Sequence, residues 1–383
     1  MTTAAIDPVP LAQELIRAES VTPAGPAVFE IVERALSAAG FEVTRMTFSG
    51  NGAGSVENLF ATRGSGGRHL ALAGHVDVVP TGDKDAWSQD PFGAVIAGDV
   101  LMGRGAQDMK GAVAAMIAAA SDWSGANEPG QVSFLITGDE EGPAINGTRP
   151  LVAWACEKHQ FDACVVGEPT SRQVLGDTIK IGRRGSISGI LTVNGRQGHV
   201  AYQHAAENPV PALLSIGQAL LKPLDGGSEH FAPSNLEITS IDVGNKAFNV
   251  IPASVSLRFN VRINDLWTVD GLRAALTERA EQAAGGTSFE LTWPDGASSA
   301  FLTRDEGLIE RVTAAVETVT GVRPEATTGG GTSDARFIKN HSPVIEFGAV
   351  GSTMHQVDER TSVAELRLLA RTYREIIRGV LTP

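Results

Sequence analysis

The stretch FLITGDEEG (134–142) ends an apolar run in three consecutive carboxylates, Asp139, Glu140 and Glu141. Anions packed this closely repel one another, so either a carboxyl pKa rises or a cation sits among them. Residues of matching chemistry recur along the chain. His75 and Asp77 stand two apart in LALAGHVDVVP, and at strand period they face the same side. Asp108 lies in GRGAQDMKG, where a helix opens, Glu168 in VVGEPT and His355 in GSTMHQVDE.

Taken singly, each has an ordinary reading. A histidine in a strand is usually a satisfied polar group, an aspartate before a helix is usually its N-cap, and Glu168 before a proline is usually a loop acid. Taken together, several element ends each deliver a carboxylate or an imidazole, where α/β proteins place their ligands. A two-metal hydrolase needs such a set. Two Zn²⁺ ions bring four positive charges, which three carboxylates and a hydroxide balance, while imidazoles supply the neutral ligands that zinc favours. Two metals roughly 3.5–4 Å apart call for a bridging carboxylate, for which Asp108 is the candidate. Adjacent side chains in DEE diverge, so Glu141 can enter the metal shell while Glu140 stays outside it as general acid/base. The cations then relieve the repulsion within the cluster.

Elements that could position these residues alternate along the first part of the chain. PAVFEIVERALSAAG has helical spacing and stops at Gly40. FEVTRMTF, NLFATRG, RHLALAGH, QVSFLITG and FDACVVG read as strands, and MKGAVAAMIAAASDW and GTRPLVAWACEKH as helices. Short apolar strands separated by helices imply a sheet covered on both faces. After about Arg183 the order becomes β-α-β-β-α-β, the ferredoxin-like unit: GSISGILTVNG, NPVPALLSIGQALL, LEITSIDVG, SVSLRFNVRI, VDGLRAALTERAEQAAG, SFELTWP. Helix and strand signals then resume in GLIERVTAAVETVTG, SPVIEFG and VAELRLLARTYREIIRGV. The expected fold class is therefore α/β, with a discontinuous catalytic domain (1–182 and 296–383) interrupted by a ferredoxin-like α+β domain (183–295).

With 383 residues, the chain is long enough for two or three domains. A net charge of −13 without a Lys/Arg block argues against nucleic acid or an anionic membrane as partner. Cys156 and Cys164 fit neither a C-x-x-C metal pattern nor a disulfide framework, which suits free thiols in a reducing compartment. MTTAAIDPVP has no signal-peptide pattern, and GAVAAMIAAA is too short to span a bilayer. A cytoplasmic protein is expected. The chain also lacks a P-loop lysine in its GGGTSD stretch and has no G-x-S-x-G elbow.

The stretches GHVDVVPTGD, RGAQDMKG, TGDEEG, VVGEPTS and MHQVDER resemble the zinc-dependent aminoacylase/carboxypeptidase family of metallohydrolases, essentially end to end. IGRRGS, QGHVAYQHAAENP, NVIPA and GGGTSDARF resemble its desuccinylase branch, which hydrolyses N-succinyl-LL-2,6-diaminopimelate. N-acetylornithine deacetylases and dipeptidases share the metal pattern and are the alternative. The resemblance implies two Zn²⁺ per subunit, with one site also open to Co²⁺. His75 and Glu168 would hold one, Glu141 and His355 the other, and Asp108 would bridge. Asp77 would hydrogen-bond His75 and fix its tautomer, and Glu140 would be the base. His199 would reach from a lid/dimerisation domain into the partner's active site and stabilise the oxyanion, which implies a homodimer. Arg183, Tyr202, Asn249, Arg262, Gly331 and Thr332 match substrate-binding positions. Guanidinium forks suit the substrate's carboxylates, and the glycine loop allows close backbone approach. Phe248, where the branch often has Asn, and Gln203, where it often has Pro, depart from the pattern. A non-catalytic binding protein on the same fold would need a broken ligand set or a missing base, and here His75, Asp108, Glu140, Glu141, Glu168 and His355 are all present.

Overall fold

The run HLALAGH forms the strand His69–His75 with every residue buried, as an unbroken apolar pattern demands of a strand covered on both faces. The computed structural model describes residues 6–50, 52–123 and 130–382, so the first five residues of the N-terminal segment discussed above lie outside it. His69–His75 belongs to an eight-stranded sheet. Its spatial order is Glu42–Gly50, Ala53–Ser65, Gly130–Thr137, His69–His75, Ala163–Val166, Val344–Glu346, Thr178–Lys180 and Glu325–Thr327. The four strands from Gly130–Thr137 to Val344–Glu346 run parallel to one another. Their carboxyl ends therefore share one edge of the sheet, where open α/β sheets bind ligands.

The helices cover this sheet for reasons visible in their residues. Lys110–Ser121 is alanine-rich and buried all round from Lys110 to Ala120, the behaviour of a helix inside a core. It packs against Val363–Leu381 and Pro8–Arg17. Val363–Leu381 starts on Ser362, whose hydroxyl accepts the Glu365 amide N–H at 3.1 Å in an S-x-x-E box. It buries the stripe Leu366, Leu369, Tyr373, Ile376, Ile377 and Val380. Pro8–Arg17 has no counterpart among the helices expected from the sequence. It is capped by Asp7, whose side chain accepts the Val9 amide N–H at 3.2 Å.

The chain divides into two compact units, one of residues 1–182, 303–327 and 333–383, the other of 183–302 and 328–332. The first carries the eight-stranded sheet. The second is built on a four-stranded sheet ordered Asn235–Asp242, Ser254–Ile263, Gly185–Asn194, Phe289–Thr292, with antiparallel neighbours. The helices Val210–Leu220 and Val269–Ala283 pack on each other and join one core with it, around Ile187, Leu191, Leu213, Ile216, Leu257, Phe259, Leu272 and Leu276. Gly189 lies opposite Phe259, whose ring fills the space that a Cβ would need. The second unit extends past the expected boundary at 295, because Ser298 and Ser186 exchange amide–carbonyl bonds at 2.9 Å in both directions. It also takes in Gly331 and Thr332.

Candidate metal centre

Four of the expected residues sit at or just beyond the carboxyl ends of three adjacent parallel strands. His75 ends His69–His75, Glu140 and Glu141 follow Gly130–Thr137, and Glu168 follows Ala163–Val166. Asp108 comes from the turn before Lys110–Ser121. Met109, not Asp108, is that helix's N-cap, and the helix start has no side-chain cap bond. The capping explanation for Asp108 therefore fails. His355 arrives from the segment after Val344–Glu346, with φ +63°. A non-glycine residue in this left-handed region is held there by its surroundings, as is common at functional sites.

These side chains converge on Asp108. Its Oδ1 lies 3.1 Å from His75 Nε2, and its Oδ2 lies 3.2 Å from His355 Nε2. His355 Nε2 is 3.0 Å from Glu141 Oε1, and His75 Nε2 is 3.8 Å from Glu168 Oε1. Among the described residues, His75–Asp108–Glu168 and Asp108–Glu141–His355 each offer three ligand atoms within 4.8 Å of one another, as does His75–Glu140–Glu141. Ligand atoms about 2.0–2.2 Å from one tetrahedral zinc lie roughly 3.2–3.6 Å apart. The observed spacings match two such triads sharing one carboxylate.

The electrostatics agree. His75 is 1% exposed. Burial disfavours its imidazolium, yet the Asp108 bond and the charges of Asp77, Asp108 and Glu140 outweigh this and raise its pKa well above 6.5. His355 is raised to about 10 by its bonds to Asp108 and Glu141. Burial opposes ionisation of Asp108, but its two histidines prevail and hold it below the usual carboxylate range. Glu140 is pushed well up by burial and by the neighbouring charges of Glu168 and Asp334. A cluster that draws protons onto its imidazoles has the negative potential that divalent cations would neutralise. The donor set of carboxylates and imidazoles suits zinc.

Two details differ from expectation. His75 Nδ1–H donates to the main-chain carbonyl of Asp77 at 2.9 Å, whereas the Asp77 carboxylate is 3.6 Å away. The strand ends at His75, so the period-two alternation does not reach Asp77. The Asp77 oxygens accept instead the amide N–H groups of Glu140 (3.2 Å) and Glu141 (3.0 Å). Asp77 therefore orients the DEE turn directly. Asp139, the first acid of that turn, faces inward and accepts the Ile145 amide N–H at 3.2 Å. Its carboxylate shapes the loop. Asp334, two residues beyond Thr332, is not among the residues expected from the sequence. Asp334 is buried, accepts the Thr148 hydroxyl at 2.6 Å, and contributes to the charge around Glu140. The acid in GGGTSD was its only local signal.

His199, Tyr202, Asn249, Arg262, Arg183, Gly331 and Thr332 all belong to the second unit. His199 is exposed, and its Nδ1 accepts the Ala201 amide N–H at 3.1 Å. Tyr202 packs against its ring, with centroids 5.5 Å apart. Asn249 is exposed, and its carbonyl accepts the Val200 amide N–H at 3.1 Å. Arg183 is buried, and its Nη1 donates to the Gly331 carbonyl at 3.2 Å. That contact needs the close approach of Gly330, whose φ is +109° and where a Cβ would meet Arg183 Nη1. Phe248 is fully exposed.

Residues 71–379 match the model of peptidase family M20/M25/M40. The chain is 52% identical over 375 residues to a succinyl-diaminopimelate desuccinylase of Methylocella silvestris, covering 96% of this chain and 97% of that protein. It is 53% identical over 369 residues to one of Xanthobacter autotrophicus, covering 96% and 97%. Among solved structures, it is similar to an M20 family metallo-carboxypeptidase of Sulfolobus solfataricus at TM-score 0.78 and 15% identity, covering 98% and 99% of the two chains. It is also similar to a dinuclear metal-binding M20 peptidase of Bacillus subtilis at TM-score 0.71 and 16% identity, covering 98% and 96%. At such identities, these two likenesses speak for the fold.

Proposed function

Since this chain belongs to peptidase family M20/M25/M40, we propose that it is a two-metal amide hydrolase that cleaves N-succinyl-LL-2,6-diaminopimelate to succinate and LL-2,6-diaminopimelate, in the route to diaminopimelate and lysine. The metal chemistry rests on one observation, the placement of His75 and His355 on opposite oxygens of Asp108. The substrate is supported by the extent of the identity to the desuccinylases of Methylocella silvestris and Xanthobacter autotrophicus.

In this reading, His75 and Glu168 would hold one Zn²⁺, Glu141 and His355 would hold a second ion, Zn²⁺ or Co²⁺, and Asp108 would be the carboxylate shared between them. Such ions would polarise the succinyl carbonyl and lower the pKa of a water toward about 7. Glu140 takes the proton of the attacking water. It then passes that proton to the departing amine. Asp77, through the amides of Glu140 and Glu141, holds the turn that carries the base and the ligand. His199 Nε2 donates to the oxyanion of the tetrahedral intermediate in a partner subunit's site, so the enzyme acts as a homodimer. Arg183 and Arg262 pair with substrate carboxylates, and Tyr202, Asn249, Gly331 and Thr332 complete the binding surface. No helix among the described residues is long and apolar enough to cross a membrane. That fits a biosynthetic enzyme of the cytoplasm.

The test is hydrolysis by the purified protein of N-succinyl-LL-2,6-diaminopimelate, N-acetylornithine and a dipeptide, side by side. Preference for the succinylated substrate is expected. Preference for either of the others would assign the chain to a different activity of the same family.

A further inference from the structure

Glu359 belongs to none of the roles described so far, yet it is fully buried four residues after His355. Its Oε1 accepts three amide N–H groups from one turn: Gly105 at 3.0 Å, Gln107 at 3.0 Å and Asp108 at 3.2 Å. Its Oε2 accepts Arg104 Nη1 at 2.5 Å. Arg104 is 2% exposed, and its guanidinium also donates to the carbonyls of Gln356 (3.2 Å) and Pro80 (3.3 Å). The turn can fold around a carboxylate because Gly105 has φ +86°, where a Cβ would crowd Val78 and Lys110. Converging backbone N–H groups make a concave anion site, and here the anion is part of the chain.

The same contacts tie two ligand-bearing segments together. The strand Arg360–Ser362 pairs antiparallel with Val100–Met102, and the Gly103 amide N–H continues the ladder to the Glu359 carbonyl at 2.9 Å. Gln107 Oε1 accepts both the amide N–H and the hydroxyl of Thr353, at 2.8 and 2.9 Å. Residues 103–108 end in the Asp108 carboxylate, and residues 353–360 carry His355. Their relative position fixes the 3.2 Å between Asp108 Oδ2 and His355 Nε2. His75 and Glu168, by contrast, stand at or next to the ends of strands in the main sheet. A buried ion pair is a poor source of net stability, and fixing a register is the best-attested reason to keep one.

We propose that Glu359 is a positioning residue for the metal pair: it sets the Asp108–His355 spacing and so governs the affinity of the Glu141/His355 position more than that of the His75/Glu168 position. This rests on the two-metal reading above. Glu359→Gln preserves shape but turns an N–H donor toward Arg104 or toward the three amides. Glu359→Asp keeps the charge but is shorter by one methylene.

The experiment is a Co²⁺ titration of the metal-free full-length protein, followed by its visible absorption, with thermal melting of the metal-free forms alongside. For Glu359→Gln the first equivalent should bind as in wild type and the second about 10–100-fold more weakly, the usual cost of losing a partner that orients a ligand. Glu359→Asp should fall between the two. A merely structural residue would lower the melting temperature and leave both affinities alone. Wild-type affinity for both equivalents in Glu359→Gln would overturn the proposal, as would failure of both variants to fold. Binding of fewer than two equivalents by the wild type would instead bring down the two-metal reading itself.

Discussion

His355 holds its Nε2 3.0 Å from Oε1 of Glu141, a residue 214 positions earlier in the chain. This contact closes the proposed metal-ligand set, because the other candidates stand at or near the carboxyl edge of the sheet while His355 comes from a distant segment. It also divides the DEE turn. Glu141 is engaged by His355, while Glu140 feels the charges of Glu168 and Asp334.

That division predicts different outcomes for two neighbouring glutamates. Glu140→Gln should lose roughly 10²–10⁴-fold in turnover, the usual worth of general acid/base help, and keep its full metal content. Glu141→Ala should lose turnover and metal together. Elemental analysis of the purified variants, beside initial rates, checks both. Near-normal activity in Glu140→Gln would reverse the assignment.

His199 offers a test of the dimer. Alone, His199→Ala should lose about 10²–10³-fold in turnover, the cost of one oxyanion donor, with metal content unchanged. Mixed with Glu140→Ala subunits, it should regain activity, since a heterodimer has one site with both lesions and one with neither. Random exchange in a two-fold dimer predicts recovery to about a quarter of wild type. Heterodimers that form but stay inactive would place His199 in its own subunit's chemistry.

His69 predicts a pH dependence of stability. It is buried, bonded through Nε2 to Ser133 Oγ at 2.8 Å, and packed against the rings of Phe161 and His159. Burial first, then the neighbouring His159, lowers its pKa to about 4. The unfolded chain, with an ordinary value near 6.5, binds this proton more readily. The stabilisation is therefore complete above about pH 6.5 and is lost as pH falls toward about 4. Melting temperatures between pH 7 and pH 5 should drop in wild type and drop less in His69→Gln. Parallel curves would remove His69 from the account.

The sequence made His75, Glu141 and Glu168 legible as candidate ligands because they stand where buried strands stop. The change from an apolar run to an acid or a histidine marks such a point, as at LALAGH and FLITGDEE. It misled about Asp77, because period-two alternation was carried one step beyond the strand's end at His75. The ferredoxin-like order could be read from alternation and helical spacing. The stretch 296–302, expected in the catalytic domain, falls in the second unit, since Ser298 is held by backbone bonds to Ser186 that leave no pattern in side chains. The helix Pro8–Arg17 went unread, although proline in a first turn behind an aspartate cap is a permitted start. The Arg104–Glu359 pair spans 255 positions, and no local signal could announce it.

Titration of metal-free protein with Zn²⁺, with succinate release followed in parallel, tests the central claim most directly. Two triads that share Asp108 predict that activity on N-succinyl-LL-2,6-diaminopimelate climbs until two equivalents per chain are bound, and that Asp108→Ala never reaches that state. Full succinate release from the metal-free protein, or saturation of binding at a single ion, would contradict it.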